Sequence, residues 1–204
     1  MRLLTKLSHK HRHGHGHAAQ EAFEGKGSHR YDRHVGRIFR GTYRRIAADV
    51  ANLVPSGADV LDISTGPGHL LVELAGIRGD LRVTGVDLSA DMVAIARGHL
   101  EPFGDRATAV TGDVGALPFD DDSFDVIVSS SALHHWPDLD AAAAEVGRVL
   151  RPGGQVLIYD FWRAPFDEMT AATAKVPAFA DRPARRTRFS AWPVPGLFYR
   201  RQEF

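Results

Sequence analysis

Residues 60–75, VLDISTGPGHLLVELA, set the frame for the rest of the 204-residue chain. Val60-Leu61-Asp62-Ile63 is a short apolar run that reads as a buried strand, while Leu70, Leu71, Leu74 and Ala75 recur at helical spacing. Between them, Ser64-Thr65-Gly66-Pro67-Gly68 must turn the chain. Glycine there lets the backbone turn sharply and come into contact with a ligand. The helix that follows offers its first N–H groups and the positive end of its dipole to whatever lies over the loop. A cofactor site is the expectation. A dinucleotide fingerprint asks for G-x-G-x-x-G, and Leu71 stands where the third glycine belongs, so the pattern of a nicotinamide oxidoreductase is incomplete.

Outward from this stretch the chain alternates strands and helices. Residues 81–86 form the next apolar run, closed by Asp87 nineteen residues after Gly68. That spacing suits a βαβ unit, in which an acid at the second strand end accepts both hydroxyls of a ribose. A helix follows, with Ser89 as N-cap and Asp91 complementing the dipole. Residues 107–111 read as a third strand leading to Gly112-Asp113-Val114, and residues 124–128 as a fourth, the most continuous apolar run and the expected centre of a parallel sheet. Ligands of open α/β sheets bind at the carboxyl ends of strands, so Ser129-Ser130-Ser131-Ala132-Leu133-His134-His135-Trp136 should face the chemistry. An imidazole there is a candidate general base, through His134 or His135.

A helix from Leu139 ends in Arg148-Val149-Leu150-Arg151-Pro152-Gly153-Gly154, which reads as a glycine-proline stop before a strand over 155–159. Residues 165–180 should hold a short helix, and 185–192 with 196–204 two last strands. Upstream, Val35, Ile38, Phe39, Tyr43, Ile46, Ala47, Val50 and Leu53 mark an amphipathic helix, preceded by Arg30-Tyr31-Asp32-Arg33.

Asp62-Ile63-Ser64-Thr65-Gly66-Pro67-Gly68 followed by Gly85-Val86-Asp87-Leu88-Ser89 resembles motifs I and II of the class I S-adenosylmethionine-dependent methyltransferases, and the string RVLRPGG before a strand is a further likeness. Tyr31-Asp32 is similar to the N-terminal segment of the ubiquinone/menaquinone-biosynthesis-type small-molecule members. The resemblance implies an α/β fold, a Rossmann-like seven-stranded, mostly parallel sheet with helices on both faces and a C-terminal antiparallel strand pair. It implies S-adenosyl-L-methionine as cosubstrate and methyl transfer to an O, N or C atom of a small molecule. The residues it would assign to the cofactor are Tyr31 as a lid, Asp62, Ser64, Gly66 and Gly68 in the loop, and Asp87 with Leu88 at the ribose. Asp113 and Val114 would meet the adenine, with Ser129 and Ser130 completing the set. One departure stands out: Ser64 occupies the first glycine of the usual D-x-G-x-G-x-G, and a side chain there takes positive φ only at a cost. The Asn-Pro-Pro-Tyr type motif of enzymes that methylate adenine or glutamine nitrogen is absent, which argues against those acceptors.

Composition sets the outer bounds. With 44% hydrophobic and 25% charged residues the chain suits one domain, and a formal net charge of zero recruits neither nucleic acid nor anionic membrane. The absence of cysteine excludes disulfides, Cys-ligated zinc, iron–sulfur chemistry and a thiol nucleophile. No apolar run has the length of a membrane span or a signal peptide, so a cytoplasmic location is expected. Residues 1–27 form a tail in which His9, His11, His13, His15 and His17 alternate with Lys, Arg and Gly. It is expected to be disordered, with weak transition-metal binding as its one chemical prospect and no metal site in the domain. The domain proper runs over 28–204, with an N-terminal helix and lid at 28–54, a cofactor core at 58–161 and a variable segment at 162–204. Arg182, Arg185, Arg186, Arg188, Arg200 and Arg201 crowd the last part, as a solvated face or a patch for an anionic substrate. The rival readings are a non-catalytic cofactor-binding or metal-handling protein, an oxidoreductase, and a nucleic-acid methyltransferase using those arginines.

Overall fold

The computed structural model describes residues 26–190 and 198–204, with side chains from residue 39 onward except those of Ser190 and Phe198. Its seven strands are β1 (Asp59–Ile63), β2 (Arg82–Asp87), β3 (Ala107–Thr111), β4 (Phe124–Ser130), β5 (Leu150–Phe161), β6 (Arg185–Ser190) and β7 (Phe198–Glu203). Five helices join them: α1 (Lys26–Leu53), α2 (His69–Ile77), α3 (Ala90–Leu100), α4 (Leu139–Val149) and α5 (Phe166–Thr173). The sheet order is β3-β2-β1-β4-β5-β7-β6. The first five strands are parallel and β7 runs antiparallel to both β5 and β6. Strand order reverses between β1 and β4, which makes the carboxyl ends of these two strands the topological switch point.

Alternation along the strands divides the core. Val60, Val83, Ala109, Val128, Leu157 and Tyr159 pack with Ile46, Ala47 and Val50 of α1 and with Leu70, Leu71 and Leu74 of α2. Leu61, Ile63, Ile127, Val156 and Ile158 pack against Ala142, Ala143 and Val146 of α4 and Phe166 and Met169 of α5. Both faces are covered, which is why the central strands read as unbroken apolar runs.

Two expectations change. The N-terminal helix begins before the apolar stripe and takes in Tyr31, whose side chain lies outside the described residues, as do the histidines of the tail and Trp192 to Gly196. The string RVLRPGG is not a glycine-closed helix stop: α4 ends at Val149, Leu150 already pairs with Phe124, and the register shifts before Val126 meets Gln155. Pro152-Gly153-Gly154 absorbs that shift as a bulge, where Gly153 takes φ 81° and a Cβ on Gly154 would stand 2.7 Å from the Asp125 carbonyl. Arg151 then reaches Asp59 Oδ2 at 2.8 Å and Asp125 Oδ2 at 2.7 Å, and Arg82 holds Asp59 from the other side. Those bonds also explain why the polar Asp59 belongs to β1. Residues 165–180 form the short helix α5 followed by a single 3-10 turn at Pro177–Phe179. Among the described residues no helix is long and apolar enough to cross a membrane.

Candidate functional site

The glycine loop leaves β1 at the switch point through three left-handed residues, Ser64 at φ 59°, Gly66 at φ 53° and Gly68 at φ 77°. Thr65 between them donates its N–H to the Val86 carbonyl at 3.0 Å, which ties the loop to the end of β2. A Cβ on Gly66 would meet nothing within 4 Å, so the backbone here faces open space above the start of α2. That is a cradle a ligand can enter.

Ser64 is held in its costly conformation by a partner far along the chain. The buried Trp136, in the segment after β4, donates Nε1–H to Ser64 Oγ at 3.1 Å. Removing that donor by Trp136→Phe is expected to cost about 1 kcal/mol of unfolding free energy. In a Ser64→Gly background, where the strain and the bond are both gone, the same change should cost much less, a coupling of about 1 kcal/mol readable from urea unfolding of the four proteins. Additive single effects would show that the bond contributes nothing.

Asp62 is buried and accepts the Thr65 hydroxyl at 2.7 Å through Oδ2, while Oδ1 has no hydrogen-bond partner. Burial, against the Thr65 bond and helped by the nearby Asp87 charge, pushes its carboxyl up to about 7. A folded-state value above the unfolded one means that the folded protein holds a proton the unfolded chain has lost. Stability should therefore fall as pH rises from about 4 to about 7 and level off above, by up to about 4 kcal/mol from this group. Asp62→Asn, compared with the parent protein by thermal unfolding across that window, should be the flatter of the two. Parallel curves would refute the assignment.

Asp87 is largely buried at the end of β2, and burial raises its carboxyl against two backbone bonds. Ser89 N–H donates to Oδ1 at 2.9 Å and Gly66 N–H to Oδ2 at 2.8 Å, so one carboxylate joins the loop to the N-terminus of α3 and keeps lone pairs for a ligand. Leu88 beside it is 60% exposed, an apolar surface at the mouth. Asp113 is exposed and accepts Gly115 N–H at 2.8 Å, which shapes the turn after β3, and Val114 is buried under it. Ser129 is buried and donates its hydroxyl to the Ile63 carbonyl at 2.9 Å, a bond between β4 and β1 that occupies the group within the sheet. Ser130 is half-buried at the end of β4.

The two candidate bases are unequal. His134 Nδ1 lies 2.9 Å from both oxygens of Asp160, so that nitrogen carries the proton and Nε2 is left as the basic atom. Asp160 is fully buried and is further held by the N–H groups of Phe161 at 2.7 Å and His134 at 3.2 Å. His135 has no such carboxylate; its ring centroid is 4.0 Å from that of His134, and burial, helped by the neighbouring His134 and opposed by Asp160, lowers its pKa below the ordinary histidine value. Phe161, edge-on to His134 at 5.4 Å, and Tyr199, 4.9 Å from Phe161, floor the pair. Sequence reasoning passed over Asp160. Its signal was available: an acid directly after the buried run Val156–Tyr159, at a strand end. Among the described residues no three His, Asp or Glu side chains converge as metal ligands.

A methyltransferase domain family matches residues 60–154. The chain is 44% identical over 102 residues to a demethylmenaquinone methyltransferase of Roseiflexus castenholzii, covering 50% of this chain and 42% of that protein. It is 32% identical over 156 residues to a malonyl-[acyl-carrier protein] O-methyltransferase of Methylococcus capsulatus, covering 76% and 56%. Among solved structures, a candidate S-adenosyl-L-methionine-dependent methyltransferase of Methanococcus maripaludis superposes with a TM-score of 0.64 at 29% identity, covering 75% of this chain and 72% of that one. The chain spans about half the length of the curated relatives it matches.

Proposed function

We propose that this chain, which carries a class I S-adenosylmethionine-dependent methyltransferase domain similar to that of the ubiquinone/menaquinone-biosynthesis-type enzymes, moves a methyl group to a small molecule. The single observation that carries the reading is the juxtaposition at one switch point of the open glycine cradle, Asp87 and the Asp160-held His134. S-adenosylmethionine, when bound, supplies an electrophilic methyl on a sulfonium. In this reading Gly66, Gly68 and the first turn of α2 lie along its amino-acid portion, Asp87 accepts its ribose hydroxyls, Leu88 flanks the ring system, and Asp113 with Val114 receives the adenine. Tyr31, on α1, is the proposed lid.

The protein's own part in the chemistry is alignment and proton removal. A nucleophile held between His134 and the methyl position gains most of its advantage from being in line. As the acceptor atom attacks, His134 Nε2 takes its proton, and the buried Asp160 carboxylate stabilises the imidazolium that forms. The same base serves a hydroxyl, an amine or an enolisable carbon. Calorimetric titration with S-adenosylmethionine and S-adenosylhomocysteine tests the reading. Micromolar binding of both supports it, and no detectable heat for either would sink it.

A further inference from the structure

We infer that the acceptor carries an anionic group, a carboxylate or a phosphate monoester, and that Arg188 and Arg200 receive it; this deepens the methyltransferase reading and rests on it. Arg200 of β7 pairs directly with Asp160 of β5 on one side and with Arg188 of β6 on the other. The three side chains therefore stand in one row on one face of the sheet, about 5 Å apart from strand to strand. That row lies at the carboxyl end of β5, where Asp160 holds the His134 ring.

Like charges directly opposite each other across a sheet repel, so a paired Arg188 and Arg200 need a counterion. Their neighbours have one. Arg186 bonds Asp167 and Gln202, and Arg201 bonds Asp49 and Glu203. Among the described residues neither Arg188 nor Arg200 has a carboxylate or a hydrogen-bonding partner. Asp160 gives neither arginine a hydrogen bond, since its oxygens are turned to the Phe161 N–H and to His134.

A third cation stands in the segment that follows β5. Trp162 is 46% exposed and carries the Arg163 guanidinium over its ring at 4.5 Å, an exposed aromatic and cationic pair directly after the end of β5. The chain has no net charge, so this concentration is local and not a reflection of an overall basic protein. Guanidinium forks match the two oxygens of a carboxylate or phosphate. An anion seated one or two strands from Asp160, about 5–10 Å away, fits a small acceptor with its nucleophile at one end and its charge at the other.

The test is binding to the S-adenosylhomocysteine-saturated protein, followed by calorimetry, with 4-hydroxybenzoate and phenyl phosphate as anionic probes and methyl 4-hydroxybenzoate as the neutral one. The anionic probes should bind at least about tenfold tighter than the ester. A double variant, Arg188→Gln with Arg200→Gln, should lose that preference while keeping its S-adenosylhomocysteine affinity. Arg185→Gln, an exposed cation on the opposite face of β6, should keep it. Equal binding of the ester, an unaffected double variant, an equal loss in Arg185→Gln, or no saturation by either anion below about 10 mM would each overturn the inference. Failure of S-adenosylhomocysteine itself to bind would instead strike the reading beneath it.

Discussion

His134→Gln is expected to lower the rate of methyl transfer by about 10²-fold or more, with S-adenosylhomocysteine affinity unchanged. Glutamine keeps a polar group against Asp160 but has no atom that takes a proton near neutral pH. Asp160→Asn should act in the same direction through a different cause. An amide N–H in place of the carboxylate repels the Nδ1 proton, turns the imidazole to the tautomer whose Nε2 is already protonated, and leaves the cation unsupported. Because the two residues act as one device, the double variant should be little worse than either alone. Single-turnover rates at saturating cosubstrate measure this directly. A His134→Gln rate within threefold of the parent would remove the base and leave alignment as the whole of catalysis, and a matching loss in His135→Gln would shift the role to its neighbour.

The second large effect is at Asp87. Asp87→Ala should weaken S-adenosylmethionine and S-adenosylhomocysteine by at least about tenfold, or ~1.4 kcal/mol. It removes the proposed ribose acceptor and also releases Gly66 N–H and Ser89 N–H, which lie in a part-buried setting and lose their shared partner. Unfolding stability should fall by about 1–3 kcal/mol from those two groups. A variant that loses stability but binds cofactor as the parent does would make Asp87 a clamp for the loop and nothing more.

How far the sequence carries can be judged from particular residues. The β1 strand, its glycine loop, β3 and the order of elements were legible because apolar periodicity and turn chemistry are local, and each stretch states its own conformation. The strand pair at the C-terminus came from the family likeness, and the structure holds it in the place implied. Asp160 and Trp136 were not legible as partners, since 26 residues separate Asp160 from His134 and 72 separate Trp136 from Ser64. Only the sheet brings them together. The Ser129 hydroxyl shows the same limit, since its partner, the Ile63 carbonyl, is supplied by the neighbouring strand. Pro152-Gly153-Gly154 fits a helix stop and a strand bulge equally well in one dimension, and the register between β4 and β5 decides it.

Arg151, bonded at once to Asp59 and Asp125 with Arg82 behind, has an outcome for redesign. These side chains rivet the rim of the sheet farthest from the proposed chemistry, so the geometry of the groups at the other rim is inherited from a foundation remote from the acceptor. New acceptor preferences can be sought by exchanging the stretches at 131–138 and 162–165 while that foundation is left alone. A library that varies Arg151 together with them would confound lost selectivity with lost architecture.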